Sequence, residues 1–118
     1  MKVFLDDIRM PPDKSWVVVR SYDEFVNLVK STPHIITEIS FDHDLGVEED
    51  GKTPTKSGMD AAKFLVDYII DEKPIIGKLL EKIIVHSANP AGKANILGYF
   101  SSAKKSGDIL NPDLEIIK

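Results

Sequence analysis

Three short clusters combine carboxylates, imidazoles and a hydroxyl: Asp6-Asp7 with Arg9 two residues on, Asp42-His43-Asp44, and His86-Ser87 followed by Asn89 and Lys93. If Asp6, Asp7, Asp42 and Asp44 meet at one place, each like-charge pair at about 4 Å costs ~1–4 kcal/mol at water-like to surface dielectric. A bound cation relieves that repulsion. All-oxygen ligands suit Mg²⁺ or Mn²⁺, and adding His43 or His86 shifts the preference toward Mn²⁺ or another transition metal. Such an ion bridges carboxylate and phosphoryl oxygens, which points to a phosphate-bearing substrate, with Arg9 as an anion clamp. The helix start after Asn89-Pro90, with Lys93 one turn on, offers a second phosphate contact.

Each cluster follows a segment that reads as a buried strand. Lys2-Val3-Phe4-Leu5 stops at Asp6-Asp7, the β-branched and aromatic run from Ile35 to Phe41 leads into Asp42, and Ile83-Ile84-Val85 ends at His86. Trp16 to Val19 is a further β-branched run whose direction the sequence leaves open, and Leu114 to Ile117 reads as a last strand after the Asn111-Pro112 turn. Helices are expected over 22–30, capped by Ser21 and closed by Pro33. Another begins with the cap pair Ser57 and Asp60 and carries the stripe Met59, Ala62, Leu65, Val66, Ile69 and Ile70; Pro74 interrupts it before a short run to Glu81. A last one runs from Asn89-Pro90 to about residue 104. Residues 47–56 are polar, contain Gly51 and Pro54, and read as a mobile lid or binding loop. Strands alternating with helices imply a largely parallel sheet, and ligands of open α/β sheets bind beyond the carboxyl ends of the strands, where all three clusters fall.

A chain of this length suits one domain, here spanning residues 1–118, and 42% hydrophobic with 29% charged residues is ordinary for a globular protein. Nineteen acids against 15 Lys and Arg, a net charge of −4, argue against coating nucleic acid by bulk charge. The absence of cysteine excludes disulfides, thiolate metal sites and a Cys nucleophile. No apolar run approaches the roughly 18 residues of a membrane span, and the N-terminus meets aspartates before a signal sequence could form, so a cytoplasmic location is the default expectation.

Plainer roles compete at each position. Asp6-Asp7 could end a strand and cap a turn, His43 could orient its loop, Ser87 could satisfy backbone, and Asn89 has the residue type and place of an N-cap. Arg9 could pair with the acids rather than a ligand, His34 reads as a surface residue, and Trp16 as packing.

At these residues the sequence resembles the cyclic-phosphate processing receiver domains: Leu5-Asp6-Asp7-Ile8-Arg9, Ser40-Phe41-Asp42-His43-Asp44-Leu45-Gly46 and His86-Ser87-Ala88-Asn89-Pro90 look like that family's signatures. The resemblance implies a flavodoxin-like, receiver-like three-layer sandwich with a mainly parallel sheet of about five strands, and a first crossover helix shortened or missing. It also implies that Asp6, Asp7, Asp42 and Ser87 match the metal, phosphorylation and hydroxyl positions of signalling receivers, whereas His43 and His86 are additions that support hydrolysis of a cyclic phosphodiester. The substrate would be a 2′,3′-cyclic nucleotide or RNA end, or ADP-ribose cyclic phosphate. On this reading Asp6, Asp7 and Asp42 hold Mg²⁺ or Mn²⁺ and Asp44 orients it. His43 and His86 are general acid and base in either order, and Arg9, Ser87, Asn89 and Lys93 contact substrate. The alternative is a non-catalytic module that is phosphorylated on Asp42 or binds a nucleotide; a nuclease acting on linear phosphodiesters ranks third. Two departures from signalling receivers stand out. Lys118 is the only lysine after the last strand, which weakens phospho-signalling, and the first two strands are joined by an unusually short segment. If strand 16–19 ran antiparallel, Arg20 would fall at the opposite rim, and it is left out of the expected site.

Overall fold

In the computed structural model, which describes residues 1–31, 36–47 and 50–117, the strands β1 (Lys2–Leu5), β2 (Trp16–Val19), β3 (Glu38–Phe41), β4 (Lys82–Val85) and β5 (Glu115–Ile117) form one sheet. Their order is β2-β1-β3-β4-β5, and every neighbouring pair is parallel. This is the flavodoxin-like order, with its topological switch point between β1 and β3. The expected start of β3 at Ile35 and the helix-closing Pro33 lie outside the described residues, as do His34 and Lys118.

β2 is parallel to β1, which settles its direction, and no helix joins the two. Four-residue strands are only ~13 Å long, so the intervening segment 6–15, able to span up to ~33 Å when extended, returns the chain without a helical crossover. The helices are α1 (Tyr22–Ser31), α2 (Gly58–Asp71), α3 (Pro74–Leu79) and α4 (Pro90–Lys105). Their starts are set locally. Ser21 Oγ accepts from the Glu24 N–H at 3.1 Å, Ser57 and Asp60 form a reciprocal capping box, and Asn89 caps α4 ahead of Pro90.

Among the described residues the helices form one layer rather than the two of the expected sandwich. The crossovers carrying α1, α2 with α3, and α4 all move across the sheet in one direction, and right-handed crossovers of one direction fall on one face. α2 accordingly packs against α1, α3 and α4. The single core joins Val3, Leu5, Ile39, Phe41, Ile83 and Val85 of the sheet to Phe25, Leu65, Ile69, Ile96 and Phe100 of the helices. Only the helix-free β1–β2 connection crosses in the other direction. The second face therefore carries no helix among the described residues; it presents Lys2, Phe4, Trp16, Glu38, Ser40 and Lys82, tied by ion pairs from Glu38 to Lys82 (3.6 Å) and Lys2 (4.0 Å).

The described part of the segment expected as a lid is pinned at its base. Val47 and Pro54 form an antiparallel bridge, and the Thr55 N–H donates to Gly46 O at 3.1 Å. Bonds from the Thr53 hydroxyl and from the Thr53 and Lys52 N–H groups push the Asp50 carboxyl down to about 2.

Candidate active site

The parallel ladder continues one residue past the strands: the Asp6 N–H donates to Val19 O (3.1 Å), Asp42 N–H to Leu5 O (2.9 Å) and His86 N–H to Phe41 O (3.0 Å). Residues 20, 6, 42 and 86 thus form the next rung, and by the two-residue alternation of a strand they share the face of Phe4 and Ser40. The His86 ring stacks on Phe4 at 4.5 Å between centroids and 5° between planes. Its Nε2 lies 2.9 Å from Asp6 Oδ2 and its Nδ1 2.6 Å from Ser40 Oγ. A carboxylate only accepts, so Nε2 carries the proton, while a hydroxyl can donate to or accept from Nδ1 and so serves both charge states of the ring.

Asp6 is fully buried. Its Oδ1 accepts from the N–H groups of Ile8 (3.0 Å) and Arg9 (2.9 Å), folding the β1–β2 segment into a turn. Burial pushes its carboxyl up, but the bonds from Arg9, Ile8 and His86 outweigh this and hold it below the ordinary carboxylate value. Asp42 moves oppositely: burial first, then the charge of Asp6, raise it above the ordinary value against the opposing His43 N–H, His86 and Ser87. Asp6, Asp42 and His86 each offer an atom that could bind a metal, all within 4.8 Å of one another. Asp7 and Asp44 join Asp6 and Asp42 in lining a crevice of about 290 Å³, with Arg9, Ser87 and Asn89 also on its wall.

His43 occupies the other flank. Its Nδ1 lies 2.9 Å from Asp44 Oδ1, which places the proton on Nδ1, and among the described residues nothing bonds its Nε2. Asn89 Nδ2 donates to Asp44 Oδ2 at 3.2 Å. The bonds from His43 and Asn89 hold the Asp44 carboxyl below its ordinary value. Backbone contacts fix this corner. The Gly58 N–H, at the start of α2, donates to His43 O at 2.7 Å, and a Cβ on Gly58 would lie 1.7 Å from Asp42 O, so glycine alone fits.

The structure thus brings the three clusters to one rim and distributes their residues unevenly. Asp44 faces His43 and Asn89 and stands apart from the Asp6, Asp42 and His86 group. Asn89 spends its amide oxygen on capping Gly92 N (3.0 Å) and its amide nitrogen on Asp44. Arg9 donates to His86 O at 3.0 Å and approaches Asp6 Oδ2 at 4.0 Å, so it braces the site as well as facing the crevice. Lys93 lies a turn into α4 and is not on the crevice wall.

Arg20 was set aside on the antiparallel alternative, and the parallel β2 returns it to this rim. Its guanidinium donates to Asp6 O (3.1 Å), Arg9 O (2.6 Å) and Met10 Sδ (3.4 Å), tying down the loop that carries Asp6, Asp7 and Arg9. Ser40, part of the quoted signature, carried no role in the expected site; its signal was a hydroxyl two residues before Asp42, on the same face of the strand. A larger groove of about 580 Å³ lies between α1 and α2, around Tyr22, Phe64, Tyr68, Lys30 and Lys56, with no histidine among the described residues that line it. The rim crevice, though smaller, is walled by Asp6 and Asp44, the carboxylates to which His86 and His43 are bonded.

A family model described as the cyclic-phosphate processing receiver domain matches residues 1–102. No curated protein and no solved structure matches the chain.

Proposed function

Because this chain belongs to the cyclic-phosphate processing receiver domain family, we propose that its rim crevice binds a nucleotide-derived cyclic phosphate and opens the ring by hydrolysis. The observation that carries the proposal is the pairing of Asp44, on the wall of an acidic crevice at the sheet's switch point, with His43 Nδ1, which leaves Nε2 without a hydrogen-bond partner among the described residues. A crevice of about 290 Å³ is at the small end of ligand sites, which suits a ring phosphate with its sugar more than a whole polynucleotide.

In this reading His43 Nε2 takes a proton from water and the resulting hydroxide attacks phosphorus. One ring P–O bond breaks, and the departing alkoxide takes a proton from His86, which until then shares it with Asp6. Ser40 accepts the Nδ1 proton, which stays on the ring while the Nε2 proton is given up. Arg9 and Ser87, on the crevice wall, contact the phosphate, while Asn89 acts through Asp44 and Lys93 contributes only distant positive charge.

The donor set fits a divalent ion. Burial and the charge of Asp6 both act against ionised Asp42, and a cation between them would remove that conflict. Asp6, Asp7 and Asp42 would hold Mg²⁺ or Mn²⁺, and the ion would supply charge neutralisation for phosphoryl oxygens.

A second reading keeps support from Asp42 and Ser87 at the ends of neighbouring strands, the arrangement of a phosphorylated receiver. A panel of 2′,3′-cyclic nucleotides, a cyclic-phosphate RNA end and ADP-ribose cyclic phosphate, followed by ³¹P NMR with Mg²⁺, Mn²⁺ or EDTA, separates the two. Ring opening supports hydrolysis. An inert panel together with acetyl-phosphate labelling that Asp42→Asn abolishes would replace it with the receiver module.

A further inference from the structure

We propose that the first turn of α4 is a seat that sets the His43 ring, with Gly92 as its floor and Asn89 as its brace, making both positioning residues for the hydrolysis proposed above. The inference rests on that reading for its catalytic consequence and on geometry alone for the seat. A Cβ built on Gly92 would lie 2.3 Å from His43 Cγ, 2.6 Å from Cδ2 and 2.7 Å from Nδ1, all closer than a side chain tolerates. The backbone does not ask for glycine there. Among the described residues positive φ occurs at Gly46, Gly51 and Gly107, and Gly92 is an ordinary helical position, where glycine is among the poorest choices. Proximity to His43 is what accounts for it.

Asn89 carries the same logic. Asp or Ser would cap α4 as well as Asn does, but neither can also donate to a carboxylate in Asn's geometry. Asn89 Oδ1 receives the Gly92 N–H while Nδ2 holds Asp44 Oδ2, and Asp44 Oδ1 takes the His43 Nδ1 proton. One side chain therefore joins the helix start to the carboxylate that fixes the imidazole. A side chain at 92 pushes the ring off Asp44; an oxygen in place of Nδ2 at 89 turns the brace into a like-charge contact.

The test compares Gly92→Ala, Asn89→Asp and Gly98→Ala. Gly98 is in the same helix with nothing within 4 Å of its added Cβ. Two readouts are taken: the His43 tautomer by long-range ¹H–¹⁵N NMR at about pH 8.5, above the ordinary histidine range, and turnover of whichever cyclic phosphate the wild type opens. The expected result is a wild-type ring protonated on Nδ1, a mixed tautomer in Gly92→Ala and Asn89→Asp, and turnover lowered by roughly 10–100-fold in both, as displacement of a reacting group by an ångström does. Gly98→Ala keeps the wild-type tautomer and rate. Should Gly92→Ala fail to fold, Asn89→Asp, whose cap is intact, decides. Folded variants with the wild-type tautomer would overturn the seat, whatever their turnover; a wild type without turnover but with the expected tautomer pattern would sink the hydrolysis and leave the seat standing.

Discussion

Asp6 and Asp42 stand on one rung of the sheet, yet folding moves their protons in opposite directions. Asp6 is held below its ordinary value, so its contribution to stability is present above that value and is lost as the pH falls through the lower, folded one. Asp6→Asn is expected to flatten the acid limb of a melting-temperature profile recorded from about pH 5 to 2, and to cost about 1–3 kcal/mol at neutral pH, because His86 and two backbone N–H groups lose a charged acceptor. For Asp42 the folded value is raised, so stability is present below the unfolded value and lost as the pH rises through the folded one; the ionised form is a burden at neutral pH. Asp42→Asn is expected to raise the melting temperature at pH 7 by a few degrees while removing activity, with the gain shrinking when saturating Mg²⁺ is added to the wild type. A lower melting temperature for Asp42→Asn would contradict the assignment of strain to that carboxylate.

The elements are short, and their ends do the positioning. Gly58 lets α2 start against the Asp42 carbonyl, so Gly58→Ala meets backbone that cannot step aside; a loss of about 1–3 kcal/mol in urea unfolding is expected, together with weaker divalent-ion binding. Arg20→Met keeps the packing of the stem but removes the donors to Asp6 O and Arg9 O, and is expected to speed limited proteolysis within 6–15 well before the fold is lost. Strands, caps and the helix punctuated by Pro74 were legible in the sequence, because each is written in local chemistry: apolar runs ending in Asp or His, Ser57 with Asp60, Asn89 with Pro90. The place of Arg20 was not, since it depends on whether β2 pairs parallel with β1, and no residue in the connection encodes that. Nor was the contact of Gly92 with His43, which joins residues far apart in sequence and depends on where α4 lands.

At the scale of the whole molecule, the consequential feature is a sheet that, among the described residues, is covered by helices on one side only. Expecting three layers assumed that helices fall on both faces, but the layer of a crossover follows from its direction across the sheet, and the strand order sends the three helical crossovers the same way. Trp16, the sole tryptophan, sits on the uncovered face at the sheet edge, 6.1 Å from the Phe4 ring with Lys2 Nζ 4.8 Å above it. Its native fluorescence should be quenched by acrylamide at a substantial fraction of the rate seen in urea; a fully shielded tryptophan would mean that face is covered in solution. The proposed hydrolysis lies at the acidic crevice on the rim, and the most direct test is there. The ring-opening rate of the preferred cyclic phosphate should be compared between wild type and His43→Gln at pH 7 with Mg²⁺ present. General-base loss predicts a fall of about 10²–10⁴-fold in kcat with an unchanged melting temperature. A His43→Gln protein that opens the ring at the wild-type rate would contradict the account.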